Sequence, residues 1–247
     1  MNDISSTGQS TRNYSGLTSR FDHLLKDIPH YMLYPEMMAA VGAHYGERPV
    51  KLLVLGESHY FDVPEPGNTP EAWYERRDLQ GAKAARNIST RGVFNNAILG
   101  KNPSKSKAIF HALANALDEC GCRVPEASSA LQSIAYMNFF QRPAERTGKS
   151  IRVDKRDVVE ANRVLSGVAV VLKPDVVVFA SRLAARFGKE GIADLHASGI
   201  RTAVVPHPAS AWWNRPSGPM GGQTGRDRFI EAVKEARPNT IIDGLFV

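Results

Sequence analysis

Four runs of apolar residues divide the chain, and each run ends in glycine or in a polar side chain. The runs lie at 51–55, 134–140, 175–181 and 202–205. A continuous apolar run of this length is typical of a parallel strand that is buried on both faces of a sheet. We therefore predict four strands at these positions.

Between the strands, apolar residues recur every three or four positions, which is the spacing of amphipathic helices. The predicted helices are two short ones within 20–46, one at 71–78, one from Gly92 to Leu99, and four at 104–120, 154–172, 182–187 and 224–236. Parallel strands need crossover connections, so helices that alternate with strands predict an α/β fold. We expect a three-layer α/β/α arrangement around a central, mostly parallel four-stranded sheet.

The two ends of the chain differ in composition. Residues 1–19 are rich in Ser, Thr, Asn and Gly and have almost no apolar content, which predicts a flexible N-terminal tail. Hydrophobic residues make up 43% of the 247-residue chain, which is enough for a sizeable core. We predict that residues 20–247 form a single domain.

Charge and cysteine content narrow the functional classes. The net charge of +6 suits an anionic partner such as nucleic acid, although no basic run is long. Cys120 and Cys122 are too close in sequence to favour a disulfide, and two thiols cannot complete a four-ligand metal site, so we predict free thiols and no metal. No stretch reaches the roughly 18 apolar residues of a membrane span, and the N-terminus lacks a signal pattern, so we expect a cytoplasmic protein.

Polar residues that could bind a ligand or take part in catalysis follow all four predicted strands. The first strand leads into Gly56-Glu57-Ser58-His59-Tyr60, the second ends near Asn138, the third at Ser181, and the fourth runs into His207-Pro208. Ligands of open α/β sheets bind at the carboxyl ends of the strands. We therefore expect these strand ends to line one pocket.

These strand ends resemble the motifs of the uracil-DNA glycosylase superfamily. The segment from Gly56 to Tyr60 is similar to the family's first motif, which reads Gly-Gln-Asp-Pro-Tyr or Gly-Glu-Ala-Pro-Gly. Asn138, followed by Arg142-Pro143, resembles the Asn of the family's segment Thr-Asn-Val-Val-Lys-Cys-Arg-Pro. His207-Pro208 and the small residues after it are similar to the second motif, His-Pro-Ser. The resemblance covers roughly residues 52–236.

The resemblance implies roles for the pocket residues. His207 would stabilise the negative charge that develops on a departing base, as an oxyanion hole does, and Asn138 would read the Watson–Crick edge of that base. Phe94 would stack on the base, and Gly56 and Tyr60 would complete its binding site, with Tyr60 as a wall against bulky 5-substituents. Structural alternatives are a loop histidine, a strand-end Asn bonded to the backbone, and an ordinary core Phe.

The loop after His207 resembles the segment that fills the gap left by a flipped nucleotide. Adjacent Trp212 and Trp213 are hard to bury together, so one would pack while the other stacks on bases, or both would close the domain edge. The residues that we expect to contact DNA are Ser210, Trp212, Trp213, Arg215 and Arg142.

The chain departs from the family at the position that activates water. Ser58 stands where the most active branch has Asp, and a serine hydroxyl is not a base at neutral pH. Glu57, His59 or Asp62 could position the water instead, and an unperturbed His59 would titrate near neutral pH. Ala209 stands where a phosphate-contacting Ser is usual, with Ser210 one place later, and the four-cysteine cluster of the thermophilic branch is absent.

The resemblance implies a monomeric, cofactor-free DNA glycosylase that flips out and hydrolytically excises a deaminated base in base-excision repair. The alternative is a non-catalytic nucleic-acid or nucleotide-binding module of the same fold, which Ser58 favours. A third interpretation is a small-molecule hydrolase in which Ser58 and His59 act as nucleophile and base. Adjacent residues at a strand end point apart, however, and the chain has no Gly-x-Ser-x-Gly elbow.

The connection between 60 and 91 is long, polar and basic. Connections of this length are uncommon unless they are functional or disordered. Its basic residues predict either an anion-facing flap or a solvated loop: Arg76, Arg77, Lys83, Arg86 and Arg91, with Lys101 just beyond.

Overall fold

The computed structural model of the chain describes residues 14–60, 69–75, 88–101, 104–146 and 148–237. The expectations for residues 1–13, for Asp62 and for the basic residues between 76 and 87 lie outside these ranges. The protein has an α/β fold with a five-stranded mixed sheet.

Four strands of the sheet are parallel, as the apolar runs predicted, and one short edge strand is antiparallel. The strands are β1 (Ala40–Val41), β2 (Leu52–Gly56), β3 (Ala135–Asn138), β4 (Val176–Phe179) and β5 (Arg201–Val204), in the order β1-β3-β2-β4-β5. β3, β2, β4 and β5 run parallel, and β1 pairs antiparallel with β3.

The edge strand β1 was not predicted, because its residues fall in a segment with helical periodicity. Gly42, just after β1, donates its N–H to the carbonyl oxygen of Ile134 at 2.9 Å. A Cβ at Gly42 would lie only 2.2 Å from the carbonyl oxygen of Gln132, so the close approach of these two backbones depends on glycine. Tertiary pairing therefore overrides the local helical pattern here.

Helices connect the strands. Within the described residues they are α1 (Asp22–Leu25), α2 (Pro29–Leu33), α3 (Pro70–Tyr74), α4 (Thr90–Ile98), α5 (Ser104–Glu119), α6 (Lys155–Leu172), α7 (Arg182–Phe187), α8 (Lys189–Ala197) and α9 (Gly225–Glu235). Short 3₁₀ turns cover Pro35–Met37, Ala130–Ser133, Ala211–Trp213 and Gly218–Met220. None of these helices combines the length and the apolar character that crossing a bilayer would require.

Helix α8 was not predicted from the sequence. Its apolar stripe is weak: Ile192 and Leu195 are its only large apolar residues, and only Leu195 is fully buried. The helix forms because this side of it packs on α6 and β5. Tertiary contacts therefore supply what the local pattern lacks.

The central strands of the sheet are buried on both faces. Leu53 and Leu55 of β2 face a cluster that includes residues of α1, α2, α6 and α8, whereas Leu52 and Val54 face residues of α4, α5 and α9. Alternate residues of a strand point to opposite faces, so a continuous apolar run serves two cores at once. This burial explains why β2, β3 and β4 could be predicted from the sequence; β5, at the edge of the sheet, is only partly buried.

The amino ends of two central strands are tied together by one side chain. Asp175, just before β4, accepts the backbone N–H of Lys51, just before β2, at 2.7 Å. The chain reaches Asp175 from α6 through Lys173, which adopts a left-handed conformation with φ of 47°. This bond aligns the starts of β2 and β4, and hence also the ends of both strands.

Residues 14–19, which we expected to be part of the flexible tail, are attached to the domain. Leu17 forms an isolated antiparallel bridge with Gly42. Gly16 donates its N–H to Oδ1 of the buried Asn95 at 3.1 Å. The described part of the predicted tail therefore extends the packing around β1.

Candidate functional site

The polar strand ends lie along one edge of the sheet. Gly56 at the end of β2 pairs with Asn138 at the end of β3. The ends of β4 and β5 continue the same edge, because Phe179 pairs with Leu55 on one side and Val204 on the other. The residues that follow these strands emerge at the carboxyl edge, where ligands of parallel sheets bind.

Asn138 lies beside a tyrosine that sequence reasoning missed. Tyr136 Oη donates a hydrogen bond to Asn138 Oδ1 at 3.0 Å. Both atoms crowd Gly56: a Cβ there would lie 2.2 Å from Tyr136 Oη and 2.3 Å from Asn138 Oδ1. Residues two apart on a strand share a face, which is the signal that could have identified Tyr136.

The Glu57 carboxylate is held by the start of a helix. Ser181 Oγ donates to Glu57 Oε2 at 2.7 Å and accepts the N–H of Ala184 at 3.2 Å, so one hydroxyl caps α7 and orients Glu57. Glu57 also interacts electrostatically with His207. The ends of β2, β4 and β5 therefore meet around this carboxylate.

His207 is held as a neutral hydrogen-bond donor. The backbone N–H of Ala209 donates to its Nδ1 at 3.2 Å, so the single proton of the neutral ring belongs on Nε2. Burial lowers the pKa of His207 below its usual value, and the nearby Glu57 carboxylate partly opposes this effect. Nε2–H makes no hydrogen bond to any described residue and is available to a ligand.

Ser58 and His59 take separate directions from the strand end. Ser58 is half-buried, and its hydroxyl has no partner among the described residues. His59 is buried and its Nε2 lies 2.9 Å from Thr90 Oγ1; since Thr90 donates its hydroxyl proton to the Met37 carbonyl, His59 must be the donor. Burial lowers the pKa of His59 to about 4.

This arrangement corrects the expectation for His59. Its ring is a neutral interior group, not a base near neutral pH at the open edge. No hydrogen bond joins it to Ser58 in the described part of the chain, so the nucleophile–base pair of the third interpretation is not formed.

Phe94, which we expected to stack on a base, is instead part of the core. Its ring is fully buried and stacks on Tyr136, with centroids 5.4 Å apart and planes 5° from parallel. Phe110 contacts both rings edge-on. Phe94 thus supports the tyrosine that contacts Asn138, and its own faces are occupied.

Arg142, which we expected to contact DNA, is also an interior residue. Its side chain is 0% exposed and makes two hydrogen bonds to Asp157, of 2.9 and 2.8 Å. The remaining donors reach Glu145 Oε1 at 2.8 Å and the carbonyl oxygen of Arg152 at 2.9 Å. The guanidinium therefore secures the start of α6, which Asp157 also caps.

The two adjacent tryptophans separate into one buried and one exposed ring. They lie in the 3₁₀ turn Ala211–Trp213, where consecutive residues project about 120° apart. Trp213 is 1% exposed and packs on Phe229, with centroids 5.8 Å apart, whereas Trp212 is 52% exposed. Trp213, which we also expected at the DNA surface, therefore anchors the loop that presents Trp212.

The remaining expected contact residues differ in their positions. Arg215 is exposed near Trp212, while Ser210 donates its backbone N–H to the His207 carbonyl at 2.8 Å and helps close the turn. Tyr60 is half-buried and forms a parallel bridge with Ala144. Arg91 forms a bidentate ion pair with Asp22 and so belongs to the domain surface, not to a flap.

Three cavities of the described residues are lined by neither Asn138, Glu57 nor His207. One of about 810 Å³ is at the amino edge and is lined by residues that include Lys51 and Asp175. Another of about 700 Å³ lies beside β5 and α9, and a third of about 370 Å³ lies between the loop after His207 and α5. The polar groups with catalytic potential converge at the carboxyl edge, so we place the candidate site there.

The described ranges contain no cluster of three or more His, Cys, Asp or Glu side chains suited to a metal ion. Cys120 and Cys122 are free and buried. A scan against models of known protein families found no match for the chain, and no curated protein matches it either.

Proposed function

We propose that this protein is a DNA glycosylase that flips a deaminated base, uracil or a related one, out of DNA and hydrolyses its N-glycosidic bond. The observation that carries the proposal is the neutral His207, whose Nε2–H is unpaired among the described residues and lies on the same sheet edge as Asn138. A fixed donor beside a base-reading amide suits a reaction in which the leaving base gains negative charge.

The spacing of the sheet suits a planar ligand. Three strand spacings separate β3, which carries Asn138, from β5, which leads into His207. At about 4.8 Å per spacing, this separation is about 14 Å. At this separation, the Asn138 and His207 side chains would contact opposite sides of one heterocycle that lies over the ends of β2 and β4.

In the proposed reaction, the bond between the sugar C1′ and the base nitrogen breaks and its electron pair leaves with the base. His207 Nε2–H donates a hydrogen bond to the base carbonyl oxygen that receives the charge. Water adds to C1′ and loses a proton, and the released base later takes up a proton from solvent. The chain supplies orientation and charge stabilisation, with no cofactor.

Glu57 takes over the water-positioning role for which Ser58 is chemically unsuited. Ser181 holds Oε2 of Glu57, which fixes the carboxylate and leaves Oε1 for water. A carboxylate in this position can accept the proton of the attacking water, whereas a serine hydroxyl cannot.

The DNA surface in this proposal is the loop after His207. Trp212 and Arg215 are exposed there, one suited to stacking and the other to a phosphate. Parallel strands with helices on both faces, in the order β3-β2-β4-β5, support a three-layer uracil-DNA glycosylase-like arrangement. We further propose that the protein acts on single- or double-stranded DNA as a cytoplasmic monomer.

The test is release of the base from oligonucleotides that contain uracil or hypoxanthine, followed by alkaline cleavage of the abasic product. His207→Ala should lower the excision rate by about 10²–10³, the usual effect of removing one oxyanion-hole donor. The matched control is His23→Ala, which removes an exposed histidine on α1. Equal rates for His207→Ala and the unmodified protein would refute the role of His207.

The second candidate is a binding module that recognises a base without cleaving the bond. Ser58 favours it, because the position that carries an acidic residue in the most active glycosylases holds a hydroxyl without a partner among the described residues. Tight binding of the uracil oligonucleotide with no abasic product, at any pH between 5 and 9, would support this candidate over the enzyme.

A further inference from the structure

Tyr136 and Asn138 form a preorganised pair at the carboxyl edge. The Tyr136 ring is fixed by parallel stacking on Phe94 and by edge-on contact with Phe110. Its hydroxyl reaches Asn138 Oδ1 at 3.0 Å. Because Gly56 has no side chain, both polar groups can lie directly over the end of β2.

The hydroxyl acts as a donor in this pair. Burial raises the pKa of Tyr136 above its ordinary value, so the phenol keeps its proton at neutral pH. Asn138 Oδ1 is its only acceptor among the described residues. The hydrogen bond therefore distinguishes the two ends of an amide that could otherwise rotate by 180°.

The hydrogen bond to Oδ1 determines where the Asn138 side-chain nitrogen, Nδ2, lies. The backbone carbonyl of Asn138 accepts from Gln141 Nε2 at 2.7 Å, and its Oδ1 accepts from Tyr136. Its Nδ2 makes no hydrogen bond to any described residue, and the side chain retains a small solvent-accessible surface at 7% exposure. The group that Asn138 offers to a ligand is thus an N–H donor.

We propose that Tyr136 is a positioning residue that sets base specificity: it holds Asn138 with its Nδ2–H₂ facing the ligand, so the site selects heterocycles with a carbonyl acceptor where cytosine and adenine carry an amino group. This inference rests on the proposed function, since it assigns the ligand class of the same site. Deamination replaces an exocyclic amino donor with a carbonyl acceptor. A fixed N–H donor therefore recognises the chemical change itself, in a pyrimidine or a purine.

The test uses binding, so that it does not depend on catalysis. Fluorescence anisotropy measures the Kd of single-stranded oligonucleotides that carry 2′-fluoro-2′-deoxyuridine or 2′-fluoro-2′-deoxycytidine, in which the fluorine slows cleavage of the glycosidic bond. The unmodified protein should prefer the uracil strand. Tyr136→Phe, which keeps the ring and its stacking, should reduce the ratio of the two Kd values about tenfold, because the amide can then rotate to accept from cytosine.

The matched control is Tyr45→Phe. Tyr45 is also buried, and its hydroxyl donates to the Leu172 carbonyl at 3.3 Å near the amino edge, far from Asn138. This variant should keep the ratio of the unmodified protein. If only general loss of packing mattered, both variants would weaken binding to both strands and leave the ratio unchanged.

A ratio that stays the same in Tyr136→Phe, or an unmodified protein that does not prefer the uracil strand, overturns the inference. Excision of ordinary uracil, measured in parallel, separates the two proposals. If the protein excises uracil but Tyr136→Phe leaves the ratio of Kd values unchanged, the proposed glycosylase activity stands and the proposed role of Tyr136 is wrong. A reduced ratio without excision keeps Tyr136 as the specificity residue of a binding module.

Discussion

Replacing Arg142 by methionine tests whether this residue stabilises the fold or contacts DNA. Methionine keeps much of the apolar stem of the side chain and removes the guanidinium. The change deletes two hydrogen bonds to Asp157, one to Glu145 and one to the carbonyl of Arg152. Among the described residues, Asp157 then retains Tyr74 Oη and the N–H of Asp154 as donors, at 2.8 and 2.9 Å.

The expected loss of stability follows from the burial of the Arg142–Asp157 ion pair. Both side chains are 0% exposed, so the Asp157 carboxylate would remain in the interior without its counter-ion. Breaking one partner of a buried ion pair typically costs about 3–5 kcal/mol. For a domain of this size, that loss lowers the melting temperature by roughly 6–20 °C.

The assay is urea unfolding at pH 7, combined with DNA binding over a range of salt concentrations. Arg156→Met, on the helix that carries Asp157, is the matched control, because Arg156 is 47% exposed and its nearest carboxylate is 3.6 Å away, so we expect a change within about 0.5 kcal/mol. Arg215→Ala should reduce the salt dependence of DNA binding by about one unit of slope. Stability within about 1 kcal/mol of the unmodified protein, together with a smaller salt slope for Arg142→Met, would refute the interior role.

Two further outcomes follow from packing and burial. Gly56→Ala should destabilise the protein by about 1–3 kcal/mol, because the new Cβ would lie 2.2 Å from Tyr136 Oη, whereas Gly218→Ala meets no atom within 4 Å and should be nearly neutral; equal effects would contradict this steric account. Stability should also fall as the pH drops from about 6.5 to 4, because burial lowers the pKa values of His30 and His59 to about 4 and the unfolded chain takes up protons first. His59→Gln, whose amide can donate the same hydrogen bond but does not titrate, should reduce the dependence of the free energy of unfolding on pH, measured by urea unfolding. An unchanged dependence would contradict this explanation.

The parallel core of the fold was predictable because its signal is local. Strands β2, β3 and β4 are short apolar runs whose residues are all buried, so each run contributes to both cores, whereas the edge strand β5 is only partly buried. The antiparallel strand β1 and helix α8 were not predictable in the same way. β1 depends on the approach of Gly42 to Gln132, and α8 on packing against α6, and neither contact appears in the local sequence.

The candidate site was predictable in its location but not in its details. The ends of strands mark the edge, which brings Asn138, Glu57 and His207 to the same side of the sheet. The sequence could not tell that Arg142 meets Asp157 across fifteen positions, because an arginine after a strand has the same local pattern whether it faces solvent or an interior carboxylate. Burial of a charged group is decided by its partner.

The bond from the Asp175 side chain to the Lys51 backbone has a consequence for how binding ability arises during folding. It holds β2 and β4 at a single offset, and a slip of β4 by one residue against β2 would exchange the two faces of β4. Such a shift would disrupt the packing of both cores and would also displace the polar residues at the carboxyl edge. Competence to bind a ligand should therefore appear in the same cooperative step as the sheet, so native-like molecules with a misassembled pocket should not accumulate.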